Sequence, residues 1–218
     1  MNNEFYPGID LGQSQDYTAI VVLEKIFPPP IETIEGNRYR MVESTEPARY
    51  ECRHIERLPL GTRYPAIVEY TRQMLMKAPL NQNTFLTIDA TGVGRPVCDM
   101  FAAAGIKHEG VTITGGDSES HVDGLYRVPK RQLVSRLQVV LQEERLKIGA
   151  SLPFAATLAE EMNNFKVKIT VSANDTYGAW REGDHDDLVL ALAMAVWRGE
   201  RGGSMRWSED ALQVLASL

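Results

Sequence analysis

Phe5-Tyr6-Pro7-Gly8-Ile9-Asp10-Leu11-Gly12 is an apolar run that closes on an aspartate and a glycine. A second apolar run occupies residues 18–26, and Gly12-Gln13-Ser14-Gln15-Asp16 between the two has the composition of a turn. Ile, Val, Leu and aromatic residues dominate both runs, so the spacing predicts a hairpin, with Asp16 as a turn or strand-start residue. Pro28-Pro29-Pro30 stops the second strand. Residues 38–58 resume with β-branched and aromatic side chains among charges, the composition of an exposed third strand. The chain thus opens as an antiparallel meander.

The period then changes. Ile67, Val68, Met74 and Leu75 fall at helical spacing within residues 64–77, residues 84–89 read as a strand, 94–104 as a helix and 107–114 as a strand. Pro129 starts a helix that runs to about residue 144 on a stripe of Leu133, Leu137, Val140 and Leu141. Residues 154–162 make another helix before the strand-like stretch 165–171, and the last helix covers about 185–198. Three antiparallel strands followed by parallel strands with crossover helices is the order of a ribonuclease-H-like α/β fold, a mixed sheet with helices on both faces. Residues 1–200 are read as this one domain, and 201–218 as a C-terminal tail that ends in a short amphipathic pattern.

Composition narrows the function. A chain of 218 residues, 44% hydrophobic and 24% charged, suits one core. Cys52 and Cys98 form neither a disulfide framework nor, with histidines, a zinc spacing, which points to the cytosol. No leader and no run of the ~20 apolar residues a membrane helix needs is present. With 23 Lys and Arg against 29 Asp and Glu, the net charge of −6 excludes a general DNA-coating protein. A nucleic-acid substrate must be held locally or presented by a partner.

Three acidic signatures carry the chemistry: Asp10 after its apolar run, Asp89 in Thr87-Ile88-Asp89-Ala90-Thr91-Gly92, and Gly183-Asp184-His185-Asp186-Asp187 before an apolar helix. Carboxylates massed against apolar segments are unfavourable unless a cation offsets their desolvation and mutual repulsion, and a divalent ion does so most directly. In the predicted sheet, Asp10 stands beside Asp89 on an adjacent parallel strand. Residues 188–197 are apolar without interruption, so the last helix is buried and its start faces the sheet. Asp187, Ala191 and Ala195 form an i, i+4, i+8 stripe that permits close approach, which makes Asp187 the third ligand. Asp186 points some 100° around the helix and ranks second. Asp184 reads as a helix cap, and His185 as a cap or as a group orienting water or phosphate. Taken singly, each acid also reads as a turn residue or a favourable charge at a helix start. Their coincidence in one fold order favours the metal site. Arg127, Lys130 and Arg131 follow the polar segment Gly115-Gly116-Asp117-Ser118, which reads as a mobile flap, and are candidate DNA contacts. Arg38, Arg40, Arg49, Arg53 and Arg57 alternate with glutamates and are expected to be salt-bridged and solvent-exposed. Tyr177, Trp180 and Arg181 read as packing beneath the last helix or as stacking near the cut site.

The Gly8–Gly12 run, the turn 89–94, Val128-Pro129-Lys130 and residues 185–193 together resemble the nuclease domain of the large terminase subunit of tailed bacteriophages, over most of residues 5–198. That resemblance implies that Asp10, Asp89 and Asp187 hold two divalent ions, Mg²⁺ or Mn²⁺, and cut double-stranded DNA during genome packaging. It also implies a bacterial host cytoplasm and, as partners, an ATPase motor domain, the portal and the small terminase subunit. Terminase large subunits carry the motor before the nuclease, yet no Gly-x-x-x-x-Gly-Lys-Ser/Thr occurs here, so the expectation is an excised domain or a separately encoded nuclease. Rival readings are a Holliday-junction-resolvase-like nuclease, an actin- or sugar-kinase-type ATP-binding domain, for which the chain is short, and a non-catalytic assembly module.

Overall fold

The computed structural model describes residues 3–12, 16–35, 38–42, 44–92, 94–172 and 186–201. Asp184, His185, Tyr177, Trp180, Arg181 and the expected tail helix lie outside the described residues.

Strands β1 (Glu4–Asp10) and β2 (Ala19–Ile26) form the expected hairpin, with Asp10 opposite Ala19. The expected single third strand is two elements. β3 (Ile31–Glu35) and β4 (Arg38–Val42) pair as a separate two-stranded ribbon, and β5 (Arg49–Arg57) joins the main sheet beside β2. Pro47, which has no N–H for a ladder, lies in the break between β4 and β5. Helix α1 (Tyr64–Leu75), strand β6 (Leu86–Asp89), helix α2 (Gly94–Ala103) and strand β7 (His108–Thr114) follow as the periodicity predicts.

Beyond β7 the structure departs from the sequence reading. The segment read as a mobile flap leads into a hairpin, β8 (Ser120–Val122) and β9 (Leu125–Pro129), and β9 pairs parallel with β7. Asp123 and Gly124 turn it with φ of 53° and 80°, the left-handed conformation that two-residue hairpin loops require. Helix α3 (Lys130–Gln142) starts one residue after Pro129, and β10 (Leu146–Ile148) adds parallel to β5. A further departure is the predicted strand at 165–171, which is the continuation of helix α4 (Ala155–Ser172). No proline or glycine interrupts residues 155–172, and extending an existing helix avoids the cost of nucleation, so β-branched composition alone does not end it. Helix α5 (Asp187–Glu200) completes the fold.

The eight-stranded sheet runs β10-β5-β2-β1-β6-β7-β9-β8, mixed as predicted. Alternation sorts its side chains to two faces. Phe5, Ile9, Ile20, Val22, Leu86 and Ile88 pack with α1 and α2 residues such as Ile67 and Phe101. Tyr6, Val21, Leu23, Tyr50, Cys52 and Ile55 pack on the other side with α3, α4 and α5, including the fully buried Trp197. Asp10 and Asp89 are in phase with Tyr6 and Thr87, so both belong to the α5 face.

Candidate metal centre

Helix α5 lies directly on β1 because Gly8 leaves room for it. A Cβ at Gly8 would stand 2.0 Å from the Ala191 carbonyl oxygen and 3.0 Å from the Ala195 nitrogen. These are the small residues of the predicted stripe, and the contact runs between two backbones. Asp187 and residues 188–197 are buried, as a helix apolar all round must be. The helix start is thereby brought to the ends of β1 and β6, where Asp10 and Asp89 sit on adjacent parallel strands.

The Asp10 and Asp89 carboxyls are close enough that each shifts the proton affinity of the other. Burial raises the Asp10 carboxyl well above the ordinary carboxylate range, and repulsion from Asp89, Asp186 and Asp187 adds to this, in that order. Burial also raises Asp89, but less freely: the Thr91 backbone N–H donates to its Oδ1 at 2.7 Å, and Lys130 supplies a nearby positive charge. Thr91 is itself fixed, its Oγ1 accepting the Ile113 N–H at 2.8 Å.

The two helix acids have different partners. Asp186, the residue before α5, receives the Lys130 ammonium on Oδ2 at 2.9 Å. Asp187 accepts a two-pronged ion pair from Arg57, Nε to Oδ2 at 2.7 Å and Nη2 to Oδ1 at 2.8 Å. Arg57 Nη2 also donates to Glu161 Oε1, and the other Glu161 oxygen accepts the backbone N–H groups of Leu188 and Val189 at 3.1 and 3.3 Å. Burial and the Asp187 charge push the Glu161 carboxyl up to about 7, against the pull of Arg57 and the two amides.

Arg57 and Glu161 are site residues that the sequence reading misses. Composition groups Arg57 with solvent-exposed arginines, a description that fits Arg53, half exposed and paired with Glu24 and Glu51. The difference lies in a bulge: β2 and β5 shift register between Val22 and Leu23, so Val22 faces His54 while Leu23 faces Cys52. The extra residue changes the inward set from Tyr50 and Cys52 to Ile55 and Arg57. Glu161 has a readable signal, because Ala155, Leu158 and Glu161 follow one another at three-residue steps and all are buried.

The candidate DNA contacts are dispersed. Arg127 is exposed on β9, Arg131 pairs with Asp117 at 2.8 Å, and Lys130 turns into the acidic cluster. As arranged, no three His, Cys, Asp or Glu side chains among the described residues are gathered closely enough to ligate one ion. The donor set nevertheless suits a hard divalent cation. Asp10 and Asp89 are neighbouring oxygen donors, with Asp186 and Asp187 in the same electrostatic field.

No protein-family model matches the chain. The chain is 25% identical, over 130 residues, to the terminase large subunit of Thermus phage G20c; that stretch is 59% of this chain and 24% of the relative, so the chain spans about a quarter of the curated relative it matches. Among solved structures, the large terminase nuclease of thermophilic phage G20c with bound magnesium aligns with a TM-score of 0.57 at 18% identity, covering 90% of this chain and 82% of that one. The same nuclease with bound zinc aligns with a TM-score of 0.55 at 18% identity and the same coverage. The chain therefore has the ribonuclease-H-like fold of a large terminase nuclease domain and shares sequence with terminase large subunits.

Proposed function

We propose that this chain is a metal-dependent endonuclease of the terminase type that cuts double-stranded DNA. The observation that carries the proposal is the pairing of the Asp10 and Asp89 carboxyls at the ends of two parallel strands, with the acids of α5 beside them. Two divalent ions, Mg²⁺ or Mn²⁺, would be held by Asp10 and Asp89 together with Asp186 and Asp187. Ions so held supply water activation and stabilisation of the departing 3′ oxygen. Of the helix acids, Asp187 is supported by its place on the stripe facing β1. Asp186 is supported by its stronger repulsion of Asp10 and by having one lysine partner rather than a two-pronged arginine.

The remaining residues position and neutralise. The Thr91 amide orients Asp89, Lys130 beside Asp186 is the candidate phosphate contact nearest the acids, and Arg127 on β9 and Arg131 on α3 are further, separate candidate contacts. His185 stays a candidate for orienting water or phosphate. An ATPase motor, the portal and the small terminase subunit are the partners proposed by likeness to terminase large subunits.

The test is incubation of supercoiled plasmid with the chain in Mn²⁺, in Mg²⁺ and in chelator. Metal-dependent nicking or linearisation is expected. Cutting confined to four-way junctions selects the resolvase reading, and cutting in chelator rejects the metal site.

A further inference from the structure

We infer that Arg57 is a positioning residue for the acidic site: it fixes where α5 begins, and so where Asp186 and Asp187 stand relative to Asp10 and Asp89. The inference rests on the metal-dependent reading above. Arg57 ends β5, Glu161 lies on α4 and Asp187 opens α5, so one guanidinium joins three elements that meet nowhere else in sequence. It grips Asp187 by both oxygens at 2.7 and 2.8 Å, while Glu161 grips the next two backbone amides of the same helix. The first turn of α5 is thus held by its side chain from β5 and by its backbone from α4.

The three side chains are only 11%, 7% and 7% exposed, and the Tyr17 ring lies 5.0 Å from the guanidinium carbon. Exposed ion pairs hold geometry poorly because water and salt compete. A planar fork closed between two buried carboxylates and an aromatic ring has one arrangement, and an ammonium cannot reproduce it. Arg57 acts through its partners, since its donors are directed to Asp187 and Glu161 rather than to Asp10 or Asp89. Asp186 is one residue before the gripped position, and successive helical residues diverge by about 100°. A small change in the phase of α5 therefore swings that carboxylate toward or away from Asp10.

The test compares the 218-residue chain with Arg57→Lys and Glu161→Gln. Three quantities are measured: plasmid nicking against Mn²⁺ concentration, kcat and KM for DNA at saturating Mn²⁺, and amide exchange at Leu188 and Val189. Arg57→Lys is expected to raise the Mn²⁺ needed for half-maximal rate by about 10–100-fold, the range found when a partner that orients a metal ligand is lost. KM for DNA should stay unchanged, saturating Mn²⁺ should recover most of kcat, and both amides should exchange faster. Glu161→Gln keeps an acceptor for the amides and should move the Mn²⁺ requirement in the same direction by less; it decides the matter if Arg57→Lys does not fold. An unchanged Mn²⁺ requirement in folded variants, with only lowered stability, overturns the inference. If the unsubstituted chain fails to nick DNA, the nuclease reading falls separately. The inference is then judged on exchange alone, and unchanged protection at Leu188 and Val189 in Arg57→Lys overturns it.

Discussion

Replacing Gly8 with alanine adds a single methyl group at the most crowded point between sheet and helix. The new carbon would stand 2.0 Å from the Ala191 oxygen, 3.0 Å from the Ala191 carbonyl carbon and 3.0 Å from the Ala195 nitrogen, all backbone atoms. Non-bonded heavy atoms settle near 3.5 Å, so β1 and α5 must separate by roughly 1.5 Å, enough to forfeit a large part of the dispersion contact between them. Overpacking in a core typically costs about 1–3 kcal/mol. With no flexible side chain to yield, about 3 kcal/mol is expected, a large share of the roughly 5–15 kcal/mol by which a domain is stable. Urea denaturation should show the midpoint falling by about 1 M or more with little change in slope. Plasmid nicking should fall with it even where the protein is folded, because the acids of α5 retreat from Asp10 and Asp89. Gly105→Ala is the control: at a φ of 75° with no atom within 4 Å, it should cost about 1 kcal/mol of backbone strain and leave nicking intact. A Gly8→Ala protein as stable and active as the parent would refute the direct seating of helix on strand.

Asn at Asp10 or Asp89 should abolish nicking with the fold intact by circular dichroism, and separate Asn variants at Asp186 and Asp187 identify the third ligand as the one whose loss is complete. In chelator, Asp10 takes up a proton on folding because its carboxyl is raised, so its contribution is full below about pH 4 and is lost as pH rises toward the folded value. Asp10→Asn should therefore flatten the decline of Tm with rising pH; an unchanged slope contradicts the crowding. Mn²⁺ should support nicking at least as well as Mg²⁺ because it tolerates irregular oxygen geometry, while Ca²⁺ should bind without supporting turnover. Restoration by Zn²⁺ alone would count against an all-carboxylate site. DNA binding by the isolated chain should be weak, salt-sensitive and indifferent to sequence, given the net charge of −6, and a tight selective complex near physiological salt would reveal a recognition surface elsewhere.

The parts of the fold legible in the sequence are those where one period holds long enough to register. In β1, Phe5 and Ile9 alternate with Tyr6, Gly8 and Asp10, so alternation alone assigns the acid to a face, and the apolar stretch 188–197 admits only a buried helix. The hairpin of β8 and β9 escapes notice because β8 is only three exposed residues and β9 is five residues that run straight into a helix, although Asp123-Gly124 is a strong two-residue turn signal. Residues 165–171 show the opposite error, strand composition absorbed by a helix already under way. Arg57 is hidden for a different reason: its face depends on a partner strand, and no local period reports a bulge.

That bulge behaves like a shift of reading frame. Before it, even-numbered residues of β5 enter the core; after it, odd-numbered residues do, and every inward choice downstream inherits the change. Removing the one extra residue near Arg53 would restore plain alternation in which Ile55, opposite Val21, and Arg57, opposite Ala19, still face inward, while every later position moves one place closer to Tyr50. Relatives without the extra residue, compared position by position with no gap allowed in this strand, would therefore align the inward Arg57 with an outward-facing position, so correspondence at this site has to be counted from the end of β5 rather than from its start.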